Sequence, residues 1–446
     1  KVFLDKAGSY TKVPFIRVQP DQNYTWLTEG MSADFDAFLP MGAKEAKSSH
    51  LQDVQTIFKN YGRGVATCRD AWAYHFNQEQ LAQNISRMIE TYDEQVFKWS
   101  RFTKKPEIDT FVLADDTKIS WSEGLKNLLK RQFSIKFDEN ALRDSLYRPF
   151  TKEHLYFDKY LNERRYQMPS IFPTPDTETE NLMICISGIG SNKPFQVFMT
   201  NLIPCLDMLE KTQCFPFYTY DEDGSHRREN IMDWALTQFR AQYETKSIGK
   251  WDIFYYVYAL LHHPHYREQY AANLKRDLPR IPLAGVSKLD FGMSKTSFDT
   301  PAEIFWAFAE AGKQLAELHV NYEQQPEYPL QMIENPDKPL NWRVDKMKLS
   351  KDKSQLVYND FLTLAGIPPE TFEYRLGNRS ALEWVLDQYR VKTDPRSGIV
   401  NDPNRPDDPE YIVRLMKQVV TVSLATVNII NELPELTLLI QEEQLC

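Results

Sequence analysis

The stretch YRLGNRSALEWVLDQYRVKTDPRSGIVNDPN, Tyr374 to Asn404, holds two loops dense in hydrogen-bonding side chains with a short amphipathic segment between them. Gly377 frees the backbone of the first loop, and Asn378, Arg379 and Ser380 follow it. Ser380 stands where an N-cap belongs, and Glu383 three residues on completes a capping box, so a helix is predicted over 381–389. Leu382, Val385, Leu386 and Tyr389 then share one face, which packs inward and holds both loops still. Arg390, Lys392, Arg396 and Arg405 follow among Thr393, Asp394, Ser397, Asn401 and Asn404, with Pro395, Pro403 and Pro406 stiffening the path. Arginine forks and amides on rigid supports are what base-edge or phosphate recognition requires. The plainer reading is a polar, well-capped surface connection, and these residues alone favour it.

The 446 residues around this stretch are 42% hydrophobic and 13% aromatic, enough for two or three domains with real cores. High Tyr, Phe and Pro with few Gly suit an α+β protein with stiff connections. The net charge of −9 excludes a simple electrostatic coat for nucleic acid, but not a local basic cleft. Cys68, Cys185, Cys205, Cys214 and Cys446 lack CxxC spacing, which fits a reducing, cytoplasmic setting. No apolar run reaches the length of a membrane span, and no signal peptide is expected. Because the chain enters amphipathic sequence directly at Lys1, it is expected to be the C-terminal piece of a longer polypeptide.

Residues 1–66 read as short strands and loops, including 2–4 and 13–18, too short to own a core and expected to lean on the chain that precedes them. Arg63 and Arg69 are candidates to meet phosphates, though a turn that satisfies Arg69 and Asp70 is the plainer reading. Residues 67–145 read as a helical spacer: Leu81, Ile85, Met88, Ile89, Tyr92, Val96 and Trp99 keep the helical step. Its basic residues, Lys98, Arg101, Lys104, Lys105, Lys130 and Arg131, are solvated faces by default and phosphate contacts at best. From Leu146 short strands are predicted over 182–186, 195–199 and 212–218, implying a largely antiparallel sheet. Gly188 to Lys193 lacks Walker spacing. Residues 252–261 are apolar all round and end at His262, His263 and His265; a metal site there is the minority reading, since no carboxylate or Cys stands at helical ligand spacing. Further helices are predicted over 301–318 and 409–428, and strands over 341–348 and 355–358.

No nucleophile elbow, HExxH, EF-hand or Walker A occurs, nor the NPPY-type tetrapeptide and glycine-rich loop of an amino-methyltransferase. No catalytic residue and no metal ligand is therefore assigned.

YRPFTKEHLYFD (147–158), NERRYQMPSIFP (162–173), NIMDWAL (230–236), DIFYYVYALLHHPHYREQYAANLKRDLPRIP (252–282), LHVNYE (318–323) and above all the 374–404 stretch occur in one order. In this the chain resembles the C-terminal specificity region of Type ISP restriction–modification enzymes, from about Asp70 to the terminal helix. The resemblance implies an α+β chain in three parts. Residues 1–66 would continue from a missing methyltransferase domain, 67–145 would be the spacer, and 146–446 a mixed α/β target-recognition domain. It implies double-stranded DNA as partner, with a nuclease, a helicase-like ATPase and an adenine-N6 methyltransferase in the same parent polypeptide of a phage-defence system. S-adenosylmethionine, ATP and Mg2+ would belong to those missing parts, with no cofactor in this chain. Base-reading candidates are Arg375, Asn378, Arg379, Arg390, Lys392 and Arg396, then Arg164, Arg165, Asn192 and Lys193. To the spacer's phosphate candidates are added Arg267, Lys275, Arg276 and Arg280. Recurring motifs in a family that reads different sites can also be scaffold, which leaves 187–194 and 284–300 as further reader loops. The alternative is a protein–protein scaffold of a phage-defence complex, which the acidity favours. A hydrolase built on the histidine cluster is a third reading.

Overall fold

The computed structural model describes residues 30–47, 54–285, 298 and 300–438. The helix expected in the 374–404 stretch runs Ala381–Gln388. The Ser380 hydroxyl accepts from the Glu383 N–H at 3.3 Å, and the Glu383 carboxylate accepts from the Ser380 N–H at 2.9 Å. Leu382, Val385 and Tyr389 are buried, and Leu386 packs against the same core. Ser380→Ala should lower stability by about 1 kcal/mol, read from a denaturant titration, with a Thr variant restoring most of it.

The other long helices follow the apolar periodicity. Helix α1, Gln78–Ser100, is capped by Asn77, and α2, Glu123–Lys130, by Ser122. Together they bury Leu81, Ile85, Met88, Tyr92, Leu125 and Leu129 in a core of their own. Helix α3, Lys250–His262, is buried over most of its circumference and packs along α4, Pro301–Val320, which a Thr300–Glu303 capping box opens. The capped helix Ala381–Gln388 is α5, and α6 is Tyr411–Asn431.

The sheets are mostly antiparallel, as expected for the α+β class. One has the order Tyr74–His75, Thr151–Tyr156, Leu142–Arg148, Ile203–Pro204, its last pairing parallel. A second has the order Gly62–Arg63, Gln213–Pro216, Met183–Ile186, Val197–Thr200, all antiparallel. The third has the order Gln331–Glu334, Leu362–Ala365, Gln355–Val357, Lys348–Leu349. Strand Leu142–Arg148 runs across position 146, and Tyr74–His75 joins its sheet, so the helical segment and the chain beyond Leu146 share a ladder.

Four expectations are corrected. The predicted strand over 341–348 is reduced to Lys348–Leu349. Side chains satisfy its backbone instead of a ladder: Tyr358 donates to the Trp342 carbonyl, Asn359 to those of Asn341 and Arg343, and Asn404 bridges both polar groups of Val344. The described part of the N-terminal segment is built into a core of this chain. Phe35, Phe38, Met41, Ile57, Phe58 and Tyr61 join a core with Phe215, Phe254 and Tyr270, whereas strands expected at 2–4 and 13–18 lie outside the described residues. Arg69 is held across the fold instead of by Asp70, donating to the Leu161 carbonyl at 2.7 Å and the Ser122 hydroxyl at 2.6 Å, while its Nε is buried without a partner. Finally, α6 is long and apolar enough to cross a membrane by length and composition, with a mean hydropathy of 1.3 over its most apolar window. Ile412, Leu415, Met416, Val419 and Val422 are buried against the protein, so α6 meets that test as a core helix does.

Candidate nucleic-acid interface

The 374–404 stretch is pinned at its start. The Tyr374 ring lies flat on His319 at 5.2 Å, and His319 stacks on Phe198 at 5.2 Å. His319 is held by the Tyr258 hydroxyl at 2.5 Å and the Thr426 hydroxyl at 3.0 Å, and burial pushes its pKa well below the usual histidine range. From this anchor the two loops leave as hairpins, a tight one of Arg375–Leu376 with Arg379–Ser380, and a wider one of Lys392–Thr393 with Val400–Asn401. Gly377 turns the first at φ +67°, and a Cβ there would come 3.0 Å from the Gln196 amide, so the turn seats on the second sheet's loop.

Each hairpin forms the wall of a cleft. The first borders a cleft of about 800 Å3 whose other walls are 187–195, the segment from His262 to Lys275, and the end of α6. It gathers five expected residues from three separate segments: Asn192, Lys193, Arg267, Lys275 and Arg375. The Lys193 ammonium lies 5.7 Å from the Trp384 ring, and the Arg267 guanidinium donates to the Phe195 carbonyl. Lys275 is exposed, while Arg375 closes its own turn by donating to the Asn378 carbonyl. Two lining residues outside the base- and phosphate-contact candidates carry buried polar atoms without partners, the Tyr374 hydroxyl and His262 Nε2. The His262 ring donates through Nδ1 to the Tyr258 carbonyl at 2.9 Å, and burial lowers its pKa to about 3. A neutral ring with its proton on Nδ1 presents Nε2 as an acceptor.

The second hairpin borders a cleft of about 660 Å3, with 65–76, Tyr147, Glu153 and 205–207 opposite. Lys392 and Arg396 line it, together with Arg69, Asp70 and Asn401. The Arg396 side chain is exposed and has no hydrogen-bond partner among the described residues, whereas Lys392 donates to Gln388 at 3.0 Å. Burial, then the neighbouring Arg390, lowers the Lys392 pKa. Glu153 is buried and accepts from Asn401 at 2.9 Å, and burial pushes its carboxyl up to about 7. With a folded pKa above its unfolded value, Glu153 favours the fold fully below about pH 4.5 and loses that contribution as pH rises through about 7. Glu153→Gln should flatten that slope in denaturation midpoints measured between pH 5 and 8.

Other expected residues lie elsewhere. Arg379 and Arg390 both reach Asp387, at 3.0 and 3.5 Å, and Arg379 also covers the Trp384 ring. Asn378 is exposed at its turn. Arg164 is exposed and pairs through its backbone with Ala66, while Arg165 covers Phe157. On the spacer, Lys98 pairs with Glu94, Arg101 covers Phe97 and Lys105 donates to the Trp99 carbonyl; Lys104, Lys130 and Arg131 are exposed. Arg280 reaches Asp36 at 3.5 Å, and Arg276 is half-buried. His263 bonds the Pro434 carbonyl and His265 faces solvent, and no group of His, Cys, Asp and Glu among the described residues is placed to hold a metal ion. Of the second expected reader loop, 286–297 and 299 lie outside the described residues.

Known proteins are similar to this chain in sequence and in fold. Residues 56–415 match the Type ISP C-terminal specificity domain. Among solved structures, a nuclease-deletion mutant of the Type ISP restriction–modification enzyme LlaGI, in complex with a DNA substrate mimic, is 32% identical with a TM-score of 0.81. The DrdV–DNA complex is 34% identical with a TM-score of 0.82. The ATP-dependent Type ISP enzyme LlaBIII bound to DNA is 28% identical with a TM-score of 0.81. Each match covers 98% of this chain but only 38%, 42% and 26% of the respective relative, so the chain spans less than half the length of each. No curated protein sequence matches it. With the family model covering most of its length, this chain belongs to the Type ISP C-terminal specificity-domain family.

Proposed function

We propose that this chain recognises a target sequence in double-stranded DNA and so chooses where a Type ISP restriction–modification enzyme acts. The observation that carries this reading is the gathering of Asn192, Lys193, Arg267, Lys275 and Arg375 into one cleft, on a chain whose solved relatives hold DNA. Exposed lysines supply position through phosphates, and forks and amides on pinned hairpins supply base discrimination. The net charge of −9 does not oppose this, because the cations are concentrated locally. Adenine-N6 methylation and DNA cleavage fall to other parts of the parent polypeptide, its methyltransferase, helicase-like ATPase and nuclease, with S-adenosylmethionine, ATP and Mg2+ bound there. Arg396 is the leading base-reading candidate at the second cleft, since its fork is uncommitted among the described residues.

The test is a gel-shift series with the full-length protein and duplex DNA from 50 to 200 mM salt. Phosphate contact predicts affinity that falls with a log–log slope of about −0.9 per neutralised phosphate. Affinity that is negligible or independent of salt would favour the scaffold reading instead.

A further inference from the structure

The hairpin that carries Arg396 is fastened at its base to the helical spacer. Ile399 belongs to the spacer's apolar core, together with Trp72, Leu81 and Ile85. The next carbonyl, that of Val400, lies 3.0 Å from His75 Nε2. His75 Nδ1 accepts from the Asn77 N–H at 2.9 Å, so the neutral ring carries its proton on Nε2 and donates to Val400. Burial lowers the His75 pKa, which favours that neutral form. Asn401 then bridges two elements at once. Its Oδ1 accepts from the Phe76 N–H at 3.0 Å, and its Nδ2 donates to the Glu153 carboxyl at 2.9 Å. A backbone N–H can only donate, so the amide is held in this sense. Phe76 also lays its ring 5.2 Å from that of Tyr389, at the other end of the segment, and Asn77 caps α1. Residues 75–77 therefore hold both ends of 389–401 and open the spacer helix.

Closing the hairpin requires none of these contacts, since its own ladder pairs Lys392 with Asn401 and Thr393 with Val400. Glu153 is 5% exposed, and Asn401 is its one hydrogen-bond donor among the described residues. A carboxyl at that depth is costly without a donor, which holds Asn401 to this geometry. The tip is braced from within: Asp394 accepts from the N–H groups of Arg396 and Ser397 and from the Ser397 hydroxyl. A shift at the base is therefore passed on to Arg396. From this convergence we propose that Asn401 is a positioning residue. With His75, Phe76 and Glu153 it locks the hairpin to the spacer, so that the spacer sets where the Arg396 fork stands against a base edge. The proposal rests on the DNA-recognition reading of Arg396. A base-reading fork has to be held to within about 0.5 Å by supporting groups of this kind.

The experiment uses the full-length protein and two duplexes, one carrying the site mapped from modified bases in cells that express it and one scrambled. Fluorescence anisotropy gives the preference between them, and hydrogen exchange of the 392–401 amides is followed in the same samples, below the denaturation midpoint of each variant. Asn401→Leu, close in shape, removes both hydrogen bonds. Preference for the mapped site should fall about tenfold, the loss expected when one base pairing is misplaced, with affinity for the scrambled duplex unchanged and hairpin exchange faster. Glu153→Gln/Asn401→Asp exchanges amide and carboxyl, so position 401 still accepts from Phe76 and position 153 now donates. It should regain both the preference and the protection. Arg396→Ala should lose the preference without faster exchange. If Arg396→Ala loses the preference while Asn401→Leu keeps it, the inference falls and the DNA reading stands, even where the denaturation midpoint of Asn401→Leu is lowered. Unchanged exchange in Asn401→Leu also overturns it. If Arg396→Ala keeps the preference while Asn401→Leu loosens the hairpin and the exchanged pair restores it, the lock stands and the reading of Arg396 falls.

Discussion

Gly312→Ala should destabilise this protein by on the order of 3 kcal/mol or more, at the upper end for a single overpacked site. Gly312 sits on α4 where that helix crosses α3, and a Cβ there would lie 1.9 Å from the Tyr255 carbonyl oxygen and 2.6 Å from its carbon. Both atoms are backbone, so no side chain can swing aside. The helices would have to separate, and α3 and α4 also carry Tyr258 and His319, on which Tyr374 rests. The effect should therefore appear twice, as a lowered denaturation midpoint and as a loosened 374–404 stretch that loses protection from hydrogen exchange. Glu310→Ala, two residues away on the exposed side of α4, should change stability by no more than about 0.5 kcal/mol. Equal stability of the Gly312→Ala protein and its parent would show that the two helices do not approach this closely.

The second large effect is on DNA. Substituting Lys193, Arg375 and Arg396 together by alanine should lower affinity for the recognised duplex by on the order of 100-fold, since good base pairings contribute about 1–3 kcal/mol each. If two of the three meet phosphates, the log–log salt slope should also flatten by about 2. The three residues come from both clefts, and none is held in an ion pair among the described residues. Arg379→Ala and Arg390→Ala should cost less, because both forks already meet Asp387. Fluorescence anisotropy on specific and scrambled duplexes separates the cases. Loss on the specific duplex alone marks base readers, and equal loss on both marks phosphate contacts.

How much the residues disclose by themselves depends on how local each signal is. The cap at Ser380 and the apolar stripes of α1, α4 and α6 are written within one or two turns, so those helices could be read directly. Strand Gln331–Glu334 carries little apolar alternation because it is an exposed edge. The segment 341–347 alternates like a strand but gives its backbone to Tyr358, Asn359 and Asn404, partners that no local pattern reveals. The clefts were legible only as candidates. Asn192, Arg267 and Arg375 belong to three widely separated segments of the chain, and only the packing of loops around α3 brings them together. Tyr374 read as the edge of a motif and His262 as part of a histidine run, because an unpaired buried atom exists only once the fold surrounds it.

The most direct measurement is a chimera in which this chain replaces the matching segment of LlaGI, a Type ISP restriction–modification enzyme, with modified bases mapped in the DNA of cells that express it. The expected result is a modified site unlike that of the LlaGI parent measured in parallel, set by the transplanted chain and altered again by Arg396→Ala or Lys193→Ala. An active chimera that still modifies the parent's site would contradict the claim that this chain makes the choice.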